Sequence, residues 1–188
     1  MLSQKAKVLQ ALGGRTMLNH VLTTANKISN KISVVVGFDK EGVEEEIKKI
    51  GINANTYLQK EQIGTADAVK TTLKDIDKNE KILILYGDVP LIKEETLKKL
   101  CNQESDLSIL TTNLENPTGY GRALKDKENN VLGIIEEKDA DLEQKKIKEI
   151  FTGILVTKGD LLKNFIPEIK NNNSAKEFYL TDLIGLSL

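Results

Sequence analysis

The sequence predicts an α/β fold, with a mixed, mostly parallel sheet covered by helices on both faces. Three observations carry that prediction. Continuous apolar runs, "KISVVVG" and "KILILYG", read as strands buried on both sides. Segments with apolar residues at i, i+3 and i+4, such as "TMLNHVLTTANKI", read as amphipathic helices. The two kinds alternate along the chain, the order that builds parallel sheets through helical crossovers.

The elements follow in order. "AKVLQAL" is a short apolar segment closed by Gly13-Gly14. The first helix carries Met17, Leu18, Val21, Leu22 and Ala25 on one face, and "KISVVVG" is the strand after it. "KEGVEEEIKKI" is a second helix, with Val43, Ile47 and Ile50 inward and Glu44–Lys48 and Glu45–Lys49 pairs outward. "INANTYLQ" is a strand, and "TADAVKTTLKDI" a helix with Thr65 as its N-cap. "KILILYG", "KEETLKKLCNQ" and "DLSILTTNL" continue as strand, helix, strand. "GRALKDKENNVLGIIEEKD" reads as a hairpin with Asn129-Asn130 at its tip. "EIFTGILVT" is another strand, "GDLLKNFIPEI" a helix, and "NNNSAKEFYLTDLIGLSL" a loop entering a last helix.

A chain of 188 residues fits one domain, and 39% hydrophobic with 29% charged residues is a globular composition. With 4% aromatics and no Trp, the core must be Ile, Leu and Val. A net charge of −1 argues against nucleic acid or an acidic membrane surface as partner. The only arginines are Arg15 and Arg122. The single cysteine, Cys101, excludes an internal disulfide and suits a reducing compartment. No apolar run approaches the ~20 residues of a membrane span, and no secretory leader is visible, so a cytoplasmic address is expected.

Four segments carry chemistry. In "YGDVPL", Asp88 follows an apolar strand, where open α/β sheets bind ligands. One carboxylate there suits Mg²⁺ held jointly with substrate phosphates; the alternative is an Asp that forms a turn or caps a helix. In "LQKEQIGTADAV", Gly64-Thr65 precede a helix, and Gln59 and Gln62 offer amide donors and acceptors of the kind that read a base edge. Surface glutamines beside a capped helix are the alternative. "NPTGYGRAL" places Gly119 and Gly121 around Tyr120, where backbone N–H groups can approach a ligand; a plain turn has the same composition. "GIIEEKDA" puts Glu136 where it can accept sugar hydroxyls, or simply in a solvated charge run. His20, the only histidine, reads as structural, and no Ser/His/Asp set exists.

Together, "AKVLQALGGRTMLNHV", "LQKEQIGTADAV", "ILYGDVPLI", "NPTGYGRAL", "GIIEEKDA", "TGILV" and "NNNSAKEFYLTD" resemble the N-terminal domain of the bifunctional N-acetylglucosamine-1-phosphate uridylyltransferase family. The resemblance covers nearly the whole chain. It implies a Rossmann-like nucleotide-diphospho-sugar transferase fold. It also implies transfer from UTP to N-acetylglucosamine 1-phosphate, with Mg²⁺, giving UDP-N-acetylglucosamine, a cell-envelope precursor, and pyrophosphate. Position by position, Lys7 is the phosphate-contacting lysine, Gln59 the uracil reader, and Gly64 and Thr65 base and sugar contacts. Tyr86 and Gly87 line the site, Asp88 is a Mg²⁺ ligand, and Gly121 and Glu136 hold the amino sugar.

The chain also departs from the family. The family opens with a strand and an L-A-A-G-x-G-T-R-M loop, and Met1 falls where that motif's Met stands. The expectation is a partial domain over 1–188, lacking the first strand, the phosphate loop with its arginine, a later Asn metal ligand and the β-helix half on which the family's trimer depends. Lower stability and impaired turnover of this chain alone follow from that expectation. Ala6 replaces the usual Pro before Lys7. Phe151 replaces the Asn before "TGIL" that contacts the sugar, and phenylalanine offers no hydrogen bond. A non-catalytic nucleotide-sugar binder or interaction module is the alternative. A transferase for another base or sugar is a third, opposed by "TGYGR" and "YLTD".

Overall fold

Strands and helices alternate as the sequence predicts, but they divide between two units. The computed structural model describes residues 5–188, so the correspondence drawn at Met1 lies outside the described residues. One unit comprises residues up to Gln62 together with Leu85–Gln103; the other comprises Ile63–Ile84 and Glu104–Leu188.

In the first unit, a 3-10 turn at Lys7–Leu9 leads into a small antiparallel hairpin, β1 (Ala11–Leu12) and β2 (Arg15–Thr16). Gly13 and Gly14 turn it with φ of 58° and 83°, the sign that a two-residue hairpin turn demands. Thr16 then caps α1 (Met17–Ala25), its hydroxyl accepting the Asn19 N–H at 3.0 Å. Strand β3 (Ile32–Val36), helix α2 (Lys40–Ile50) and strand β4 (Ala54–Leu58) follow, with β3 and β4 parallel from Ile32↔Ala54 to Val36↔Leu58. Leu18 and Leu22 of α1, Val43 and Ile47 of α2 and Val36 of β3 form this unit's core. On the outer face Glu45–Lys49 pairs at 3.0 Å as expected, whereas Glu44 pairs with Lys40 and accepts from the Thr56 hydroxyl. Helix α4 (Glu94–Cys101) completes the unit, burying Leu97 and Leu100.

The second unit holds helix α3 (Thr65–Lys70) and a five-stranded sheet: β5 (Lys81–Ile84), β6 (Leu107–Asn113), β7 (Arg122–Lys125), β8 (Val131–Ile135) and β9 (Glu149–Lys158). Ten-residue β9 pairs with β5, β6 and β7, which explains why "IFTGILV" is mostly apolar. Every ladder of this sheet is antiparallel: β9 runs against β5, β6 and β7, and β8 runs against β7. The expectation of a mostly parallel sheet is therefore corrected here, and parallel pairing is confined to β3/β4 among the described residues. The β7–β8 hairpin turns at Asn129 with φ 69°, and the Asp126 carboxylate accepts both N–H groups of Asn130. Helix α5 (Gly159–Phe165) and helix α6 (Asp182–Leu186) pack Leu162, Leu183 and Ile184 into the core beside Leu155 and Phe151.

Candidate functional site

Strand β5 runs out at Ile84, and the chain enters the first unit at Leu85. Gly87 and Asp88 occupy a turn, with the Val89 N–H reaching the Tyr86 carbonyl at 3.3 Å. The Asp88 carboxylate receives the Lys7 ammonium at 2.7 Å, across 81 positions of sequence. It does not cap a helix: α4 is preceded by Lys93, with no side-chain cap. Lys7 is held by its neighbours, since the Ala6 N–H donates to the Asp39 carboxylate at 3.0 Å and Val8 packs on Gly87. Lys7 is 60% and Asp88 35% exposed. A pair this open adds only about 0.2–1 kcal/mol to stability, so the fold does not depend on it. Gln59 extends the β3–β4 ladder by donating its N–H to Val36, and the Gln62 side chain lies against Gly37.

The other sequence candidates sit in the second unit. Gly64, not Thr65, occupies the N-cap position of α3, a correction to the predicted cap. The Thr65 hydroxyl instead accepts the Leu180 N–H at 2.9 Å. Gly64 has φ 132°, and a Cβ there would stand 2.3 Å from the Phe178 carbonyl. Close approach of residues 178–180 thus requires glycine at this position.

Gly121 ends the Gly-rich turn, and a Cβ on it would meet Ile134 at 2.6 Å and the Glu136 carboxylate at 3.2 Å. Glu136 accepts the Thr181 hydroxyl at 3.0 Å. Burial pushes its carboxyl above the ordinary range, and the nearby Asp182, Asp139 and Glu177 add to the shift. Glu136, Asp139, Thr181 and Asp182 line a cavity of about 700 Å³ with Tyr179 and Gly185. Burial and the surrounding carboxylates push the Tyr179 phenol up to about 12, so it stays a hydrogen-bond donor. Phe151 is buried in the apolar core with Ala123, Ile134 and Leu155.

Thr181, Tyr179 and the Arg122–Glu137 pair are polar groups of this region that sequence reasoning did not single out. Arg122 carried a signal nonetheless: it is one of two arginines in a lysine-rich chain, and arginine is the residue for fixed, forked contacts. No sequence signal links Thr181 to Glu136, 45 positions away. Among the described residues, no group of three or more His, Cys, Asp or Glu is arranged to hold a metal, and no helix is long and apolar enough to cross a membrane.

The model of the MobA-like NTP transferase domain matches residues 2–141. The chain belongs to that family. Its relatives include proteins named bifunctional protein GlmU, 45% identical over 186 residues in Thermosipho melanesiensis and 46% identical over 185 residues in Francisella tularensis subsp. novicida. Each alignment takes in 97% of this chain, which spans about 40% of the relatives' length. Among solved structures, UDP-glucose pyrophosphorylase complexed with UDP-glucose superposes with a TM-score of 0.75 at 15% identity, covering 96% of this chain and 78% of that one. A putative glucose-1-phosphate thymidylyltransferase from Bacillus anthracis gives 0.73 at 18% identity, covering 94% and 72%. The fold of this family member is thus that of the sugar nucleotidyltransferases.

Proposed function

We propose that residues 1–188 serve as one uridylyltransferase domain that joins UTP and N-acetylglucosamine 1-phosphate into UDP-N-acetylglucosamine, releasing pyrophosphate. The observation that carries this reading is the pairing of Lys7 with Asp88. It brings a cation and a carboxylate 81 positions apart into contact beside an exposed turn. The ammonium is suited to a phosphate oxygen. The carboxylate, with oxygens of a substrate triphosphate, suits Mg²⁺, which commonly takes one or two protein carboxylates. When bound, the metal supplies neutralisation of phosphate charge.

The reaction needs no covalent intermediate on the protein. An oxygen of the sugar phosphate bonds to the α-phosphorus of UTP as the bond to the β-phosphate oxygen breaks. Lys7 offsets negative charge on the phosphates. Gln59, Gly64 and Thr65 contact base and ribose, and Tyr86 and Gly87 shape the nucleotide side. Gly121 and Glu136 hold the amino sugar. The Glu136 carboxylate accepts sugar hydroxyls, and the Thr181 hydroxyl orients it. The identity to the GlmU proteins over nearly the whole chain supports the choice of substrates.

The test is pyrophosphate release from UTP and N-acetylglucosamine 1-phosphate with Mg²⁺. It is run on the chain and on a version extended before Met1 by the family's strand and loop. Turnover in either, with a loss of about 10²-fold or more on Asp88→Asn, is expected. Calorimetric binding of UDP-N-acetylglucosamine without turnover in either would favour the non-catalytic binder, and undiminished turnover in Asp88→Asn would remove Asp88 from the site.

A further inference from the structure

Arg122 is the largest side chain buried to within 2% of full enclosure, at 1% exposed. It stands at the start of β7, directly after the Gly-rich turn. Its Nη1 donates to the Tyr120 carbonyl, and its Nη2 donates to Oε2 of Glu137 at 2.5 Å. The same Glu137 oxygen accepts the Gly119 N–H at 3.1 Å. Arg122 and Glu137 together therefore fasten the turn at two backbone groups, one on each side of the Gly119–Tyr120 bond.

The arrangement has a cost. Arg122 Nε is buried and has no partner among the described residues. A desolvated donor of this kind is destabilising, because it gives up its hydrogen bond to water and gains none in return. A lysine or an apolar residue would avoid that cost but could not reach both acceptors at once. The fork geometry is what the position retains.

What the fork fastens is next to Glu136. Glu136 and Glu137 are consecutive residues leaving β8, and their side chains go to different partners. Glu137 takes Arg122 and the Gly119 N–H; Glu136 takes Thr181 and packs on Gly121. Gly121 is also held from below, its carbonyl accepting the Phe151 N–H at 2.9 Å. The distance from the Gly121 backbone to the Glu136 carboxylate is thus set by a clamp that neither residue belongs to.

We propose that Arg122 and Glu137 are positioning residues, a clamp that holds the turn at residues 117–121 against Glu136 and thereby sets affinity for the amino-sugar phosphate. The proposal rests on the reading of Gly121 and Glu136 as sugar contacts. Arg122→Lys keeps the charge and loses the fork. Glu137→Gln keeps an acceptor oxygen for Gly119 and Arg122 and loses the charge. In Arg122→Lys, KM for N-acetylglucosamine 1-phosphate rises about tenfold, while KM for UTP and kcat at saturating sugar phosphate stay within about twofold. Glu137→Gln, a partial rescue of the same bonds, gives a smaller rise of about threefold. A merely structural role would instead lower kcat in step with the melting midpoint and change the two KM values alike, and that outcome, or an unchanged sugar KM, overturns the proposal. If neither the chain nor its extended version turns over the sugar phosphate, the functional reading fails and the clamp is judged by amide exchange. Gly119 then exchanges about tenfold faster in both variants relative to the β9 amides, and unchanged exchange overturns the clamp.

Discussion

Glu136 shows how burial of a single carboxylate bears on stability. Burial holds its carboxyl above the ordinary range, so the folded chain keeps that proton to a higher pH than the unfolded chain does. The stabilisation from proton uptake is fully present below the unfolded value and is lost as pH rises through the folded one. Near neutral pH the buried charge is a net cost. Glu136→Gln, whose amide oxygen still accepts from Thr181, is expected to melt higher than the parent near neutral pH. The gap should narrow in mild acid, and thermal melts across that range check it. Phe151 has the opposite character. Its ring is part of the apolar core. Phe151→Asn removes core volume and buries an amide, so a loss of about 3–5 kcal/mol in chemical denaturation is expected.

At the scale of elements, two local devices hold the described secondary structure. Thr16 serves α1 twice, accepting the Asn19 N–H and donating to the Glu46 carboxylate at 2.7 Å. Thr16→Ala is expected to cost about 1 kcal/mol, measured as a shifted urea midpoint at constant slope. Gly64 lets the backbone of residue 178 close on α3 through the Phe178 N–H to the Ile63 carbonyl and the Ala66 N–H to the Phe178 carbonyl. Gly64→Ala meets both a forbidden φ and a backbone clash, so a loss above about 2 kcal/mol is expected in the same experiment. The Asn129-Asn130 turn was readable in advance, because its chemistry is local. The Thr65 cap was not, since its hydroxyl answers to Leu180, 115 positions away.

Across the whole molecule, the two units differ in how their strands are held. In the first, β3 and β4 form a sheet of two strands. In the second, β9 is paired by three neighbours and buries Ile150, Phe151, Ile154, Leu155 and Val156. Amides of β9 are therefore expected to exchange with solvent at least tenfold more slowly than those of β3, as measured by hydrogen–deuterium exchange. Equal protection in both would mean that the units open together.

By itself the sequence determined the α/β class, the order of nearly every element, the asparagine-tipped hairpin turn, and the family. These depend on periodicity, turn residues and short motifs, which act over a few positions. Only the tertiary structure decided the antiparallel pairing around β9, the encounter of Lys7 with Asp88, and the enclosure of Glu136 by Thr181 and Gly121. The same holds for the clamp of Arg122 and Glu137. Strand direction is invisible in an apolar run, since burial on both faces leaves the same pattern either way. A partner 45 or 81 positions distant leaves no local trace, because the contact is made by packing of whole elements.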